Sequence, residues 1–403
     1  MLSMIRTLFW SSGFHPDPLS GRPGSVRRRA VPSAGGCYPV QVHTLCGTGC
    51  DVPPGLYAFD AERGVLVSRN RSSWPVSAAA GPGAVIGLSV LPQRTAAKYH
   101  HRALPLLVAD TAYAVAALAH HAAWHGIGTA WLQDDPASLA AAFALPDYGC
   151  WPELWPGTGP ELVLAALSLG GLLPDPVPSS PARISEAGPS AVPERSPRLV
   201  AGVRDWAGRY RPGPTVRPHR GIPGCDPATL SSRRSLALTG IPGVVDSGSE
   251  PSAAVRTVRE SLAAARLSVP FGTPDGCRSV LLDWADPADA ATLKDPRLAI
   301  RCAGQGWLGT LDGLVLFESG GPPGPREMWW AASLAAHVLY GALRLGATGE
   351  SLGPPSLEFR PVGGWTGEEQ GRWTVHGLGF RTGPPRAGRQ GNTEETEGSG
   401  HAG

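Results

Sequence analysis

The stretch RAVPSAGGCYP, residues 29–39, decides how this chain is interpreted. It is a glycine-rich turn that a proline begins, and it offers one hydroxyl and several backbone amides that no large side chain shields. Such a turn suits a planar ligand with polar edges, or a phosphate, because successive N–H groups can bind an anion. We therefore predict a ligand site at this turn.

A second polar segment, KYHHR at residues 98–102, lies between a predicted core strand and an alanine-rich stretch of helical periodicity. Lys98 and Tyr99 place a cation beside a phenol, and both side chains can move a proton near neutral or basic pH. Taken alone, such a pair is common on surfaces, where the stem of a lysine covers an aromatic ring. The pair is therefore a candidate site only in combination with the other motifs of the chain.

Composition excludes several classes of function. The chain has 403 residues, enough for two domains with a core each. Its charged residues make up 17% and its net charge is +2, so we expect no nucleic-acid partner. Seven cysteines without a CxxC pair indicate reduced thiols, and we expect no metal. No apolar run is long enough to cross a bilayer, which predicts a cytoplasmic protein without a membrane partner.

Hydrophobic periodicity alternates between a two-residue and a helical repeat, which predicts an α+β fold with helices on a largely antiparallel sheet. The predicted strands cover residues 38–48, 55–60, 65–67, 84–90, 162–169, 279–284 and 313–317. The predicted helices cover residues 104–125, 253–267 and 326–345. Pro136, after two aspartates, indicates one more helix start.

A proline-rich segment, 172–229, divides the chain and is interpreted as a linker or an arm along the surface. On its two sides, alanine-rich helices that end in glycine-rich turns, within 112–128 and 333–349, repeat one supersecondary unit. We therefore predict a first half at 1–171, a second and diverged half at 230–383, and a disordered tail at 384–403.

Together, the glycine-rich turn and the Lys-Tyr pair resemble the SagB/McbC-type branch of the nitroreductase superfamily. Members of this branch are FMN-dependent dehydrogenases that oxidise thiazolines and oxazolines in ribosomally made peptides. The resemblance covers residues 25–171 and, more weakly, 230–383. It implies a nitroreductase-like fold, which in the superfamily is an obligate dimer with FMN at the interface between its subunits.

The resemblance also implies how the cofactor site is divided. In the family, an Arg-Arg-Ser run of one protomer grips the phosphate and ribityl chain of FMN, and the Pro-Ser turn comes from the other protomer. Here the first half has Pro32-Ser33-Ala34-Gly35 without a clear Arg-Arg-Ser start, and the second half has Arg233-Arg234-Ser235 without such a turn. Two incomplete halves predict an intrachain pseudo-dimer with one FMN. An upstream start codon, which would restore a first arginine run, is the alternative, and further oligomerisation stays open.

Three further positions follow from the same resemblance. The backbone at Gly346 and Gly349 would approach the flavin ring, where the absence of a side chain permits contact. Arg381, in a predicted final strand, would complete the phosphate site. The Lys-Tyr pair would lie beside the flavin and supply the base, either as Lys98 made neutral by burial or as Tyr99 in its phenolate form, assisted by Lys98.

The implied reaction converts an azoline ring of a precursor peptide into the aromatic azole, as in the biosynthesis of peptide antibiotics. The ring would lose a proton to the base and a hydride to FMN, and molecular oxygen would reoxidise the flavin. A cyclodehydratase complex that makes the azoline is the implied partner. Two alternatives stay open: another flavin oxidoreductase of this fold that uses NAD(P)H, and a flavin-free scaffold that docks a leader peptide or a partner enzyme.

Overall fold

The fold contains both helices and antiparallel sheets, so the predicted α+β class is confirmed. The computed structural model describes residues 1–16, 22–69, 81–147, 150–171, 198, 201–203, 205, 209, 215–231, 233, 253–347, 357–363, 368–369 and 371–382. Two of the segments assigned from the sequence, most of 172–229 and the whole of 384–403, lie outside these residues.

The first part of the chain builds a seven-stranded sheet. Its elements are α1 (Leu2–Phe9), β1 (Phe14–Pro16), β2 (Pro23–Arg27), β3 (Val40–Cys46), β4 (Gly55–Asp60), β5 (Val65–Ser68), β6 (Ala84–Val90), α2 (Pro92–Tyr99), α3 (Ala103–Trp124), β7 (Thr129–Gln133), α4 (Pro136–Ala142), α5 (Trp151–Leu154), β8 (Leu162–Leu169), β9 (Thr215–Pro218) and α6 (Pro227–Ser231). The strand order is β5-β4-β3-β6-β8-β7-β9, and β1 pairs with β2 separately. Every residue of β6 is buried, as expected of an apolar strand covered on both faces.

The later part of the chain builds a second sheet. Its elements are α7 (Ala253–Ser268), β10 (Arg278–Asp283), α8 (Pro287–Lys294), α9 (Pro296–Arg301), β11 (Gly313–Ser319), α10 (Pro325–Ala347), β12 (Leu357–Gly363), β13 (Glu368–Glu369) and β14 (Arg372–Thr382). The strands are ordered β10-β11-β14-β12, and β13 pairs with β14. All of these pairs are antiparallel.

Two long helices, α3 and α10, pack against each other and join the two parts in one hydrophobic core. Both are rich in alanine, whose small side chain lets helices approach closely. Their contact includes a polar pair, since His120 Nε2 lies 3.2 Å from His337 Nδ1. The core therefore continues from one sheet to the other, which brings loops from distant parts of the sequence to one place.

The predicted strands and long helices recur in the structure with small shifts at their ends. Pro136 begins α4, and Asp135 caps it by accepting hydrogen bonds from the backbone amides of Ala137 and Ser138. Within 172–229, interpreted as a linker or an arm along the surface, the structure has β9 and the start of α6. β9 pairs with β7 at the edge of the first sheet, where Pro218 is tolerated because an edge strand leaves one side unpaired.

The described part of the chain contains one helical stretch long and apolar enough to cross a membrane, Pro92–Trp124, with a mean hydropathy of 1.4. Within its apolar window, 94% of the residues are buried against other elements. By length and composition, the expectation that no stretch could cross a bilayer is wrong for this one. The stretch contains α3, and its burial is that of a core helix.

Buried histidines predict a loss of stability in acid. Burial lowers the pKa of His120, His219 and His376 to about 4, and that of His337 well below its usual value. Between pH 6.5 and about 4 the unfolded chain therefore binds more protons than the folded chain. For each of His120, His219 and His376 this lowers the free energy of unfolding by about 3 kcal/mol. Asp110 has the opposite effect on stability, because burial raises its pKa to about 7 and the folded chain then binds its proton more tightly. This single carboxyl is outweighed by the several buried histidines.

We expect the free energy of unfolding, measured by denaturant titration, to fall as the pH falls from 7 to 4. A flat or rising profile would contradict this.

Candidate functional site

The glycine-rich turn is fixed by one buried carboxylate. Ser33 Oγ donates a hydrogen bond to Asp110 Oδ2 at 2.6 Å, and the backbone amide of Ala34 donates to Oδ1 at 3.0 Å. The Tyr38 amide donates in turn to Ser33 Oγ at 2.9 Å. Asp110 lies on α3 and is buried; burial raises its pKa to about 7, while the bonds from Ser33 and Ala34 favour the charged form. The core helix thus holds the turn in shape.

The turn and the Lys-Tyr pair touch each other. Lys98 and Tyr99 are the last residues of α2, and Lys98 Nζ donates a hydrogen bond to the carbonyl oxygen of Gly35 at 2.9 Å. Gly35 has a φ of 55°, and a Cβ there would overlap the Tyr99 hydroxyl and the Lys98 amine. The positive φ favours glycine at this position, and a side chain here would have to displace the ends of the Tyr99 and Lys98 side chains.

Replacing Gly35 with Ala is expected to destabilise the protein by roughly 1–3 kcal/mol, because both the backbone strain and the overlap with Tyr99 and Lys98 must be relieved. Gly36→Ala is the matched control: its φ is 69°, but its Cβ would meet only the Tyr38 ring, at 4.0 Å. Chemical unfolding of both variants separates the overlap from the strain. Equal losses of stability would contradict the close approach at Gly35.

A cavity of about 1630 Å³ opens beside the turn, and residues from both parts of the chain line it. The first part contributes Pro32, Ser33, Ala34, Gly35 and Tyr99. The predicted second half, 230–383, contributes Arg233, which follows α6 and whose Nε donates a hydrogen bond to the carbonyl oxygen of Ala30 at 2.7 Å. From the later sheet, Glu358 and Arg360 of β12 also line the cavity. The arginine predicted from the second half therefore lies against the turn predicted from the first.

The cavity is rich in guanidinium groups. Six arginines and three acidic side chains line it: Arg6, Arg28, Arg29, Arg102, Arg233 and Arg360, with Asp51, Asp110 and Glu358. Burial lowers the pKa of Arg233, while the nearby phenols of Tyr340, Tyr38 and Tyr113 favour its charged form. Burial and the neighbouring Arg94 lower the pKa of Arg29 to about 10. Buried guanidinium groups are suited to bind a phosphate or a carboxylate.

The two members of the Lys-Tyr pair have different surroundings. Lys98 is exposed, so the expectation that burial makes it neutral is wrong. It ends a short helix, where a cation faces the helix carboxyl end and solvent. Tyr99 is half-buried and lines the cavity; burial raises the pKa of its phenol, and Arg102 and Arg360 act against this. Tyr99 is thus the member of the pair placed to touch a ligand.

The other predicted site residues are placed as follows. Gly346 is near the end of α10 and is not among the residues that line the cavity. Arg381 lies in β14 and forms an ion pair with Glu358, at 3.2 Å, instead of facing the cavity directly. Arg234, Ser235 and Gly349 lie outside the described residues. Within the part of the chain that the structure describes, no group of three or more side chains could hold a metal.

Several cavity residues were not predicted from the sequence. Asp110 lies within α3, whose alanine-rich sequence predicts only a buried core helix. Tyr113, also on α3, meets His376 of β14, with 3.2 Å between the phenolic oxygen and Nε2. Arg28 belongs to a run of three arginines before the turn, which was a usable signal. Arg360 had none, since an isolated arginine in a strand points to no particular chemistry.

Comparison with known proteins establishes the fold. A crystal structure from Anabaena variabilis, assigned as a nitroreductase, superposes with a TM-score of 0.59 at 14% identity, and the match covers 96% of this chain and 87% of that chain. The E. coli microcin synthetase McbBCD complex, with truncated pro-MccB17 bound, matches with a TM-score of 0.31 at 17% identity over 43% of this chain and 64% of that chain. No family model and no curated protein matches the chain. The predicted nitroreductase-like fold is confirmed.

Proposed function

We propose that this chain, which has the nitroreductase fold, is an FMN-dependent dehydrogenase that oxidises an azoline ring of a ribosomally made peptide to the azole. The observation that carries the proposal is the cavity in which the turn at Pro32–Gly35, the phenol of Tyr99 and Arg233 of the predicted second half meet. In this proposal the two parts are halves of an intrachain pseudo-dimer, and together they supply one cofactor site.

The residues present fit FMN. Gly35 lines the cavity without a side chain, so its backbone is open to a flat ring system. Arg233 and Arg28 provide guanidinium groups for a phosphate. Gly349, Arg234 and Ser235 remain proposed cofactor contacts on the basis of the family resemblance, and so do Gly346 and Arg381, although neither faces the cavity directly.

We assign separate roles to the pair. When bound, FMN would accept a hydride from the azoline ring. Tyr99, whose phenol lines the cavity, would accept the proton that the ring carbon loses, and it must first be deprotonated to do so. Lys98 would position the site, since its amine holds the Gly35 carbonyl and lies 5.7 Å from the centroid of the Tyr99 ring. The positive charges of Arg102 and Arg360 favour the phenolate form of Tyr99, against the effect of burial on its pKa.

Anaerobic mixing of the purified yellow protein with an azoline-containing precursor peptide tests this function. We expect bleaching of the flavin absorption without NAD(P)H, together with a peptide that is lighter by two hydrogen atoms in mass spectrometry. Bleaching by NAD(P)H but not by the azoline peptide would favour a reductase of the same fold. Protein that purifies colourless, and does not take up added FMN, would favour a flavin-free scaffold that docks a leader peptide or a cyclodehydratase.

A further inference from the structure

The cavity is larger than the cofactor site requires. Small-molecule sites usually measure about 300–1,000 Å³, whereas this cavity measures about 1630 Å³. A second ligand therefore has room beside FMN, and the side chains around Tyr99 indicate what that ligand carries.

Two arginines from opposite parts of the chain meet at Tyr99. The guanidinium carbon of Arg102 lies 5.8 Å from the centroid of the Tyr99 ring, and Arg360 acts electrostatically on the same phenol. Arg102 reaches toward β12, which carries Arg360: one of its terminal nitrogens lies 3.4 Å from the position that a Cβ on Gly363 would take. The missing side chain of Gly363 thus leaves room for Arg102 beside β12.

Aromatic rings contact both the Arg102 and the Arg360 side chains, and one nitrogen of Arg102 makes no hydrogen bond. Arg360 lies over the Trp307 ring, 5.1 Å from its centroid, which fixes the plane of its guanidinium group. The Nε of Arg102 is buried and makes no hydrogen bond. A ligand in the cavity would therefore reach Arg102 through the rest of its guanidinium group, since Arg102 is one of the residues that line the cavity. Glu358, the acidic group nearest along β12, is already engaged by Arg381.

We propose that Arg102 and Arg360 form a subsite that binds a carboxylate of the substrate beside Tyr99. The proposal rests on the proposed function, because it takes Arg233, against the Pro-Ser turn, as the partner of the FMN phosphate. Planar guanidinium groups bind carboxylates through paired hydrogen bonds, which also orient the bound molecule. The substrate class is therefore an azoline with an acidic group close to the ring that is oxidised.

Calorimetric titration of the full chain with 2-methylthiazoline-4-carboxylate and with the corresponding carboxamide tests this subsite without any turnover. We expect the carboxylate to bind about tenfold or more tightly than the carboxamide, as charged hydrogen bonds require. Arg102→Gln and Arg360→Gln should each remove this preference, and Arg102→Lys should keep part of it. Arg297→Gln is the matched control, because Arg297 is exposed and pairs with Asp295 at 2.7 Å.

Melting temperatures show whether each variant is folded. If Arg102→Gln does not fold, Arg102→Lys and Arg360→Gln still test the subsite. A wild-type protein without carboxylate preference, or one that binds neither compound, overturns the subsite. Variants that lose the preference for FMN over riboflavin overturn it as well, because the arginines would then hold the cofactor phosphate. A carboxylate preference that both glutamine variants remove supports the subsite even if the flavin does not oxidise azolines, so the two proposals fail separately.

Discussion

Replacing Tyr99 with Phe is expected to slow reduction of the bound FMN by an azoline peptide about a hundredfold to ten-thousandfold, the usual contribution of a general acid or base. FMN should remain bound, because the variant keeps the ring that lines the cavity and removes only the hydroxyl. Stopped-flow absorption under anaerobic conditions isolates this step from the reaction with oxygen. Tyr57→Phe is the matched control: it removes a phenol that bonds the Pro53 carbonyl at 2.8 Å, away from the cavity.

The pH dependence of the same step provides a second readout. Burial raises the pKa of Tyr99, so the phenolate becomes available only as the pH rises, and the rate should increase through the alkaline range. The Tyr99→Phe variant should lack this rise. Lys98→Ala should also slow the step, through loss of the bond to Gly35. If both variants bleach as fast as the wild type, the pair is structural. If they purify without flavin, the pair belongs to the cofactor site and the base lies elsewhere.

Replacing Arg233 with Ala is expected to weaken FMN binding by about 2–5 kcal/mol, a factor of roughly 30 to several thousand in the dissociation constant. Arg233 is half-buried and belongs to the predicted second half, yet it lies against the turn of the first half. Equilibrium titration with FMN and with riboflavin, which lacks the phosphate, measures the effect. The variant should lose the preference for FMN, and Arg233→Lys should keep part of it.

Arg217→Ala serves as the control for that measurement, since Arg217 is exposed and bonds the Pro270 carbonyl at 3.2 Å. Because Arg233 also holds the backbone at Ala30, the melting temperature of each variant must be measured beside the affinity. A folded Arg233→Ala protein that still prefers FMN to riboflavin would show that the phosphate is bound elsewhere in the cavity.

Most of the architecture could be predicted from the sequence, because the strands and long helices have clear hydrophobic periodicity. The Pro-Ser turn and the Lys-Tyr pair were also predictable, and the structure brings them into contact through Gly35. The exposure of Lys98 was not predictable, since α2 is a short helix whose orientation depends on tertiary packing. β9 was missed because prolines surround it and its one partner, β7, is distant in sequence.

The composition of the cavity was harder to predict than the fold. Arg102 and Arg360 lie near each other because α3 packs against α10, and α10 contacts β12, which carries Arg360. No local sequence pattern predicts that arrangement. Asp110 was hidden for a different reason: its carboxylate has a partner in the turn, which lies far from it in sequence. Long-range pairs of this kind depend on the assembled core.

The ratio of FMN to polypeptide tests the central claim, that the two halves form one shared site. Flavin released by denaturation would be measured by absorption, and the protein by amino-acid analysis, after saturation with FMN and removal of the excess. We predict one FMN per chain, since the turn of the first half and the arginine of the second meet at one cavity. A ratio near two, or no bound flavin at all, would contradict this account.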